Sequence, residues 1–324
     1  MQATMVCSDF ADVRCGRITR ALRNHGWTHD LLTRGYPPQM DDVYTSIDWN
    51  PYRDRFAVRD TDDTALYHVH GEMHNYKPVL ELREQTDKPI ILNVHDLTCA
   101  RPESILDKYE KECIEAADGL VWVTREQRDF AERMGINVDK PTAFFGNYVS
   151  SDFFIDKPLL PYIGGVAYEG SIAKRGETAN DRDFSPVSDA LDGSLHIYSG
   201  GSNPDYGIVH DPVFEYPILF QRLAQHDWGF AGYHSQSPSW EHSQPTKAYE
   251  YLAAGIPIIS MNTPLLDPLV AAGMGVTITK LSDLRHLPPA KSFRKQVLAH
   301  RRHFTAESDV DGVAALYKTL TGGN

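Results

Sequence analysis

The stretch 243–260, SQPTKAYEYLAAGIPIIS, constrains this chain more than any other. Its proline suits a first helical turn, Lys247, Ala248, Glu250, Leu252, Ala253 and Ala254 are strong helix formers, and Gly255 ends the helix. The apolar run 256–259 follows at once and reads as a buried strand. At about 100° per residue, Tyr249, Leu252 and Ala253 share one helix face, and Lys247, Glu250, Tyr251 and Ala254 lie on the other. One face is thus expected on a sheet, while the other presents a cation and a carboxylate.

That second face has chemistry available to it. The backbone N–H groups near Thr246 and Lys247 lack intrahelical partners and carry the positive end of the helix dipole, so a phosphate is favoured there. Glu250, one turn further in, is acceptor-only when ionised and is placed to bind a vicinal diol such as a ribose. The same spacing also makes an ordinary surface helix with a Lys247–Glu250 ion pair worth about 0.2–0.5 kcal/mol. Physics alone leaves both readings open.

The 324 residues suffice for about two domains with ample core, and 41% apolar with 23% charged residues is ordinary for a soluble globular protein. A formal net charge of −12 argues against general binding to nucleic acid or to anionic membranes, because affinity for phosphate backbones comes mainly from Lys and Arg. Cys7, Cys15, Cys99 and Cys113 are widely spaced, which makes a zinc cage or disulfide framework a poor fit and matches a reducing cytoplasm. The N-terminal residues lack a signal-like apolar core, and no apolar run approaches a membrane span of about 18 residues. A cytoplasmic protein, with at most peripheral membrane contact, is the expectation.

Along the chain, apolar runs alternate with amphipathic segments. Strands are expected at 3–8, 65–70, 89–94, 119–124 and 142–145, with helices at 16–25, 76–86, 103–117 and 125–134. Residues 36–64, rich in Pro, Asp and Tyr, read as irregular with a short strand near Val43. The series restarts with strands at 163–168, 195–199, 228–233, 256–260 and 276–279, and closes with helices at 292–303 and 308–321. This alternation predicts parallel sheets covered by helices on both faces, with ligands beyond the carboxyl ends of the strands. Gly146 and Asn147, both suited to positive φ, mark a sharp linker and a domain boundary near 150.

Two histidine clusters fall at strand ends. In the first, His68-Val-His70-Gly71-Glu72-Met-His74, alternate residues of a strand share a face, but no Cys or further carboxylate follows at ligand spacing. It reads as a wall of the substrate cleft on the acceptor side rather than as a metal site, with Gly71 turning the chain and Glu72 pointing inward. The second is Val94-His95-Asp96-Leu97 after an apolar strand, where a histidine hydrogen-bonded at a strand end is the plain alternative.

Taken with the Gly273-Met-Gly275 turn, PTKAYEYLAAGIPIIS resembles the nucleotide-sugar site of GT-B glycosyltransferases, especially the retaining family 4 type. The likeness covers roughly residues 65–320. It implies an α/β fold of two doubly wound, Rossmann-like domains facing each other across a cleft. Residues 1–150 would form the acceptor-side domain and 151–324 the nucleotide-sugar domain, with the last helix returning to the first. It implies that Glu250 holds the donor ribose and that Thr246 and Lys247 face the diphosphate. His95 would contact the sugar near the reacting carbon. Gly170, Ser171, Lys174 and Arg175 match the loop that grips the diphosphate, although Ser171 stands where the family usually has Arg. His242 stands where the family usually has a second acidic residue, eight positions before Glu250. Tyr216 begins the helix beneath the nucleobase. The opening loop DFADVRCG has one glycine, where the family has a glycine-rich loop.

These readings converge on transfer of a sugar from a UDP- or GDP-sugar to a glycan or other hydroxyl acceptor, with retention. No metal or other cofactor is called for, since Lys174, Arg175 and the helix dipole can meet the leaving-group charge. The alternatives are a nucleotide-sugar 2-epimerase, which shares the architecture, and a non-catalytic nucleotide-sugar or glycan-binding protein. The charge of −12 disfavours modified DNA as acceptor.

Overall fold

In a computed structural model, residues 1–7, 13–34, 41–50, 55–58, 63–71, 77–100, 108–177, 182–199, 204–211, 215–234 and 238–322 are described. The chain forms two compact units, one from Met1–Ser150 with Ala306–Asn324 and one from Ser151–Thr305.

The first unit is built on a seven-stranded sheet: β1 (Gln2–Cys7), β2 (Thr28–Thr33), β3 (Ser46–Trp49), β4 (Thr64–Gly71), β5 (Ile90–Val94), β6 (Gly119–Trp122) and β7 (Thr142–Phe144). The spatial order is β3-β2-β1-β4-β5-β6-β7, and every pair is parallel. The second unit has β8 (Val166–Glu169), β9 (Leu195–Tyr198), β10 (Ile208–Val209), β11 (Trp228–Phe230), β12 (Ile258–Ser260) and β13 (Gly275–Thr277). Its order is β10-β9-β8-β11-β12-β13, again all parallel. In both sheets the chain reverses direction beside the first strand, between β1 and β4 and between β8 and β11. Such a reversal opens a crevice at the carboxyl ends of those strands.

Parallel strands covered on both faces need continuous apolar runs, and Ile90–Val94 is buried at all five positions. Strand β2 breaks this rule and was therefore invisible to pattern reading. His29 and Asp30 interrupt its apolar run, yet both are buried. Asp30 accepts hydrogen bonds from Gln2 Nε2 at 2.5 Å and Ser46 Oγ at 2.7 Å, and His29 Nε2 lies 3.3 Å from Tyr317 Oη. The strand expected near Val43 is instead a 3-10 turn, Asp41–Val43, and the strand begins at Ser46. β10 was missed because two exposed residues carry no period.

The turn after β7 also differs from expectation. Neither Gly146 nor Asn147 adopts positive φ. Side chains hold it instead: Arg14 donates to Gly146 O at 3.0 Å, to Asn147 Oδ1 at 2.9 Å and to Phe145 O, while Gly146 N donates to Asp309 Oδ2 at 2.6 Å. The last helix, Asp311–Leu320, packs within the first unit, placing the Tyr317 hydroxyl 2.7 Å from His68 Nδ1. Among the described residues, no helix is long and apolar enough to cross a membrane.

The second unit packs a helix so tightly on β11 that a Cβ added at Gly229 would lie 2.2 Å from the Tyr251 ring. Gly229→Ala is therefore expected to cost about 1–3 kcal/mol through overpacking. A lower urea midpoint by circular dichroism would show it, and an unchanged midpoint would contradict this packing.

Candidate functional site

The helix foreshadowed by 243–260 runs over Thr246–Ala253. Seven of its residues, 247 to 253, are buried, so it is not the ordinary surface helix that the same spacing also allowed. Tyr251 fills the space over Gly229, its hydroxyl accepts from Glu169 N at 2.9 Å, and small residues on the remaining sides allow close approach. The carboxyl end closes as the glycine predicts. Gly255, at φ +79°, donates to Leu252 O at 3.0 Å, and Ile256 N donates to Tyr251 O at 3.0 Å. Arg301, 1% exposed, adds hydrogen bonds to Ala253 O at 2.8 Å and Leu252 O at 3.4 Å, and pairs with Asp156 at 2.5 Å. A cation is thus fixed on the negative end of the dipole.

The amino end is built differently. Pro245 is the N-cap and supplies no side-chain hydrogen bond, and the first backbone bond of the turn is Ala248 N to Pro245 O at 3.1 Å. Thr246 is half-buried, and Lys247 is 7% exposed. The Lys247 ammonium lies 5.1 Å from the ring centre of Tyr168, the third residue of β8, and 5.0 Å from that of Tyr233, just beyond β11. It therefore occupies the crevice where the second sheet reverses. Among the described residues no ion pair is made by it. Burial alone pushes the ammonium pKa down, but Tyr168 and Tyr233 reverse that and leave it above the ordinary lysine value, so Lys247 is a cation at neutral pH. Each ring contact is worth about 0.5–2 kcal/mol, whereas withdrawing an ammonium from water costs several. The Glu169 carboxylate, next to Gly170, adds to the upward shift without forming an ion pair.

Gly170 borders this cation. It has φ +122°, which strains any other residue, and a Cβ there would touch Lys247 Cε at an ordinary 3.6 Å. Arg182, which sequence reading passed over, adds further positive potential, since it pulls down the pKa of both Tyr168 and Lys247. Two rings no motif announced complete the wall: Tyr233 stacks on Trp240 at 3.7 Å.

Glu250 is 4% exposed and accepts from Tyr216 Oη at 3.1 Å. Tyr216 is held by stacking on Phe220 at 4.9 Å and by the edge of Phe153 at 5.7 Å. The structure thus joins Gly170 to Lys247 and Tyr216 to Glu250. The Lys247–Glu250 ion pair is absent, since one side chain meets aromatic faces and the other a phenol.

The two cations of the loop 171–177 differ in their surroundings. Ser171 and Lys174 are exposed. Arg175 is bound in a two-pronged ion pair to Asp189 at 2.8 and 2.9 Å, which holds the Asp189 carboxyl below its usual range. His242 is half-buried.

In the first unit, His95 N donates to Gly71 O at 3.1 Å, and its ring lies 5.3 Å from that of His70. Asn93 Nδ2 donates to His70 Nδ1 at 2.7 Å, and Asn93 Oδ1 accepts from Arg14 at 3.2 and 3.3 Å. A chain of polar groups therefore runs from Arg14 to His70 at the carboxyl ends of β4 and β5. Arg14 carried no motif and was read as part of the opening loop, whereas the helix begins at Val13. His68 is a fully buried core residue. Gly71 ends β4 opposite Val94, and Glu72 lies outside the described residues.

No protein-family model and no curated protein matches the chain. Solved structures do. AviGT4, a glycosyltransferase involved in avilamycin A biosynthesis, is 13% identical with a TM-score of 0.58, over 99% of this chain and 99% of its own. The UDP-GlcNAc 2-epimerase of Methanocaldococcus jannaschii is 11% identical with a TM-score of 0.54, over 100% of both chains. Its complex with UDP-GlcNAc and UDP gives 0.56, at 11% identity and 100% of both chains. The chain has the two-domain, parallel-sheet GT-B fold that these structures share.

An unpaired buried cation burdens the fold that holds it. Lys247→Met, which keeps the shape and removes the charge, is expected to leave the melting temperature unchanged or raise it. A fall of several degrees would mean that the charge supports the fold and not a ligand.

Proposed function

We propose that this chain is a glycosyltransferase that moves a sugar from a nucleotide-sugar donor to an acceptor hydroxyl, with retention of anomeric configuration. The observation that carries the reading is the buried Lys247 ammonium at an uncapped helix start, beside Gly170 and with no ion pair among the described residues, Glu169 acting on it only at longer range. A diphosphate supplies an ion-pair partner for that ammonium, and the first-turn N–H groups of Thr246 and Lys247 add donors. Glu250 takes the ribose hydroxyls, steadied by Tyr216. Lys174 can reach the phosphates from its exposed loop, whereas Arg175 must first leave Asp189. Ser171 and His242 line the sugar side, and His95, Gly71 and Glu72 belong to the acceptor and transfer machinery of the first unit.

In this mechanism the bond from the anomeric carbon to the leaving phosphate oxygen breaks, and a bond from the acceptor oxygen forms on the same face. The acceptor proton passes to the departing phosphate, so no side-chain nucleophile is needed. Preplaced positive charge is most effective where water is excluded, which favours Lys247 over the exposed loop cations. A nucleotide-sugar 2-epimerase is the second reading, favoured by full-length likeness to the M. jannaschii enzyme. It uses the same donor pocket but converts the donor without an acceptor.

A panel of nucleoside diphosphates tests the pocket. UDP or GDP is expected to raise the melting temperature of the wild type; Lys247→Met should lose that shift and Glu250→Gln should lose most of it. Equal shifts in all three proteins would remove the pocket from consideration. With a suitable acceptor, His95→Ala should keep the nucleotide shift but lower transfer about a hundredfold. Conversion of the donor alone to its 2-epimer would instead establish the second reading. Nucleotide binding with neither reaction would leave a binding protein.

A further inference from the structure

A cluster in the second unit plays no part in the donor pocket. His196 on β9, His210 directly after β10 and His226 just before β11 bring one potential ligand atom each to within 4.8 Å of the others. The fold explains why they meet. His196 and Tyr198 share a face of β9, the register Val209↔Ile197 places His210 level with Tyr198, and the loop after the Tyr216–Leu223 helix drops His226 over them. His196 and His226 are buried and His210 is half-buried.

The contacts among them are close. His196 Nδ1 and His210 Nε2 are 2.9 Å apart, and the His196 and His226 rings are 4.5 Å apart. Tyr198 stacks on His210 at 4.5 Å. His226 Nδ1 lies 2.8 Å from Gly164 O, and since a carbonyl only accepts, this nitrogen carries the proton. The Nε2 lone pair therefore faces the cluster, where the Tyr198 hydroxyl donates to it at 2.7 Å. A ligating histidine typically donates its other N–H to a backbone carbonyl or carboxylate in this way, which fixes its tautomer. Asp227, the carboxylate next in sequence to His226, is committed elsewhere, to Tyr162 Oη at 2.7 Å and Gly165 N at 3.0 Å.

We infer that His196, His210 and His226 form a site for a divalent transition metal of the zinc class. Nitrogen ligands about 2.0–2.1 Å from a tetrahedral zinc stand about 3.3 Å from one another. The observed separations, from 2.9 Å to at most 4.8 Å, bracket that value. An all-imidazole set suits Zn2+, Co2+, Ni2+ or Cu2+ and not Mg2+ or Ca2+, which prefer oxygen. Binding needs neutral rings, and desolvation already holds all three below the ordinary histidine range, His226 at about 4. On binding, the proton between His196 and His210 moves to the far nitrogen of the ring that held it. The Tyr198 hydroxyl, released from His226, stands beside a fourth position filled by water. Gly164 and His226 lie at the amino ends of β8 and β11, the opposite ends from Gly170 and Tyr233, so the site is separate from the donor pocket.

The test uses the full chain without an affinity tag, stripped of metal by chelator and titrated calorimetrically with Zn2+ and with Co2+. One equivalent should bind, and the Co2+ form should show the visible absorption of a four-coordinate site with nitrogen ligands. His226 is fully buried, so the informative variant is His210→Ala at the sheet edge. It should keep its circular dichroism spectrum while binding Zn2+ at least about tenfold more weakly. Lys247→Met should bind metal as the wild type does, whatever becomes of the nucleotide. A wild-type protein that takes up neither metal, or a His210→Ala variant that binds as tightly, would overturn the proposal.

Discussion

Withdrawing a positive charge from water is costly, and the second unit does so beside the reversal of its sheet with no ion pair to Lys247 among the described residues. The arrangement holds because the helix that carries it is gripped on every side. Tyr251 closes over Gly229, Arg301 fastens the last carbonyls, and Gly255 turns the chain straight into β12. Aromatic faces from Tyr168 and Tyr233 offset part of the cost.

The first unit handles a buried cation in the opposite way. Arg14 is 2% exposed, but its guanidinium is used up on the carbonyls of Phe145 and Gly146 and on the side chains of Asn93 and Asn147. A fully hydrogen-bonded cation specifies a local structure, here the turn after β7 and the orientation of Asn93 toward His70. Two cations of similar burial thus differ in surroundings: one is hydrogen-bonded throughout by the protein and the other meets aromatic faces. Burial alone does not separate them; partner accounting does.

The likeness to AviGT4 and to the M. jannaschii 2-epimerase extends over whole chains at 11–13% identity. Such divergence is compatible with one fold because a doubly wound sheet needs apolar runs at the right spacing rather than particular residues. It also means that chemistry has to be argued from the site, since the same fold serves both a transferase and an epimerase.

The sequence by itself determined the class of fold, most strands, and the helix, glycine and strand of 243–260, because these follow from periodicity and from the φ freedom of one glycine. It failed at β2, where a histidine and an aspartate are buried against distant partners, and at Gly146 and Asn147, where Arg14 and Asp309 do what backbone conformation was expected to do. Only the tertiary structure decided that Lys247 is a buried, ring-held cation, that Arg175 is engaged by Asp189, and that three histidines from separate elements meet. The reason is physical. Local sequence fixes the dihedral angles and the period of a segment, whereas the charge state, partners and accessibility of a side chain depend on groups brought close by sheet order and register.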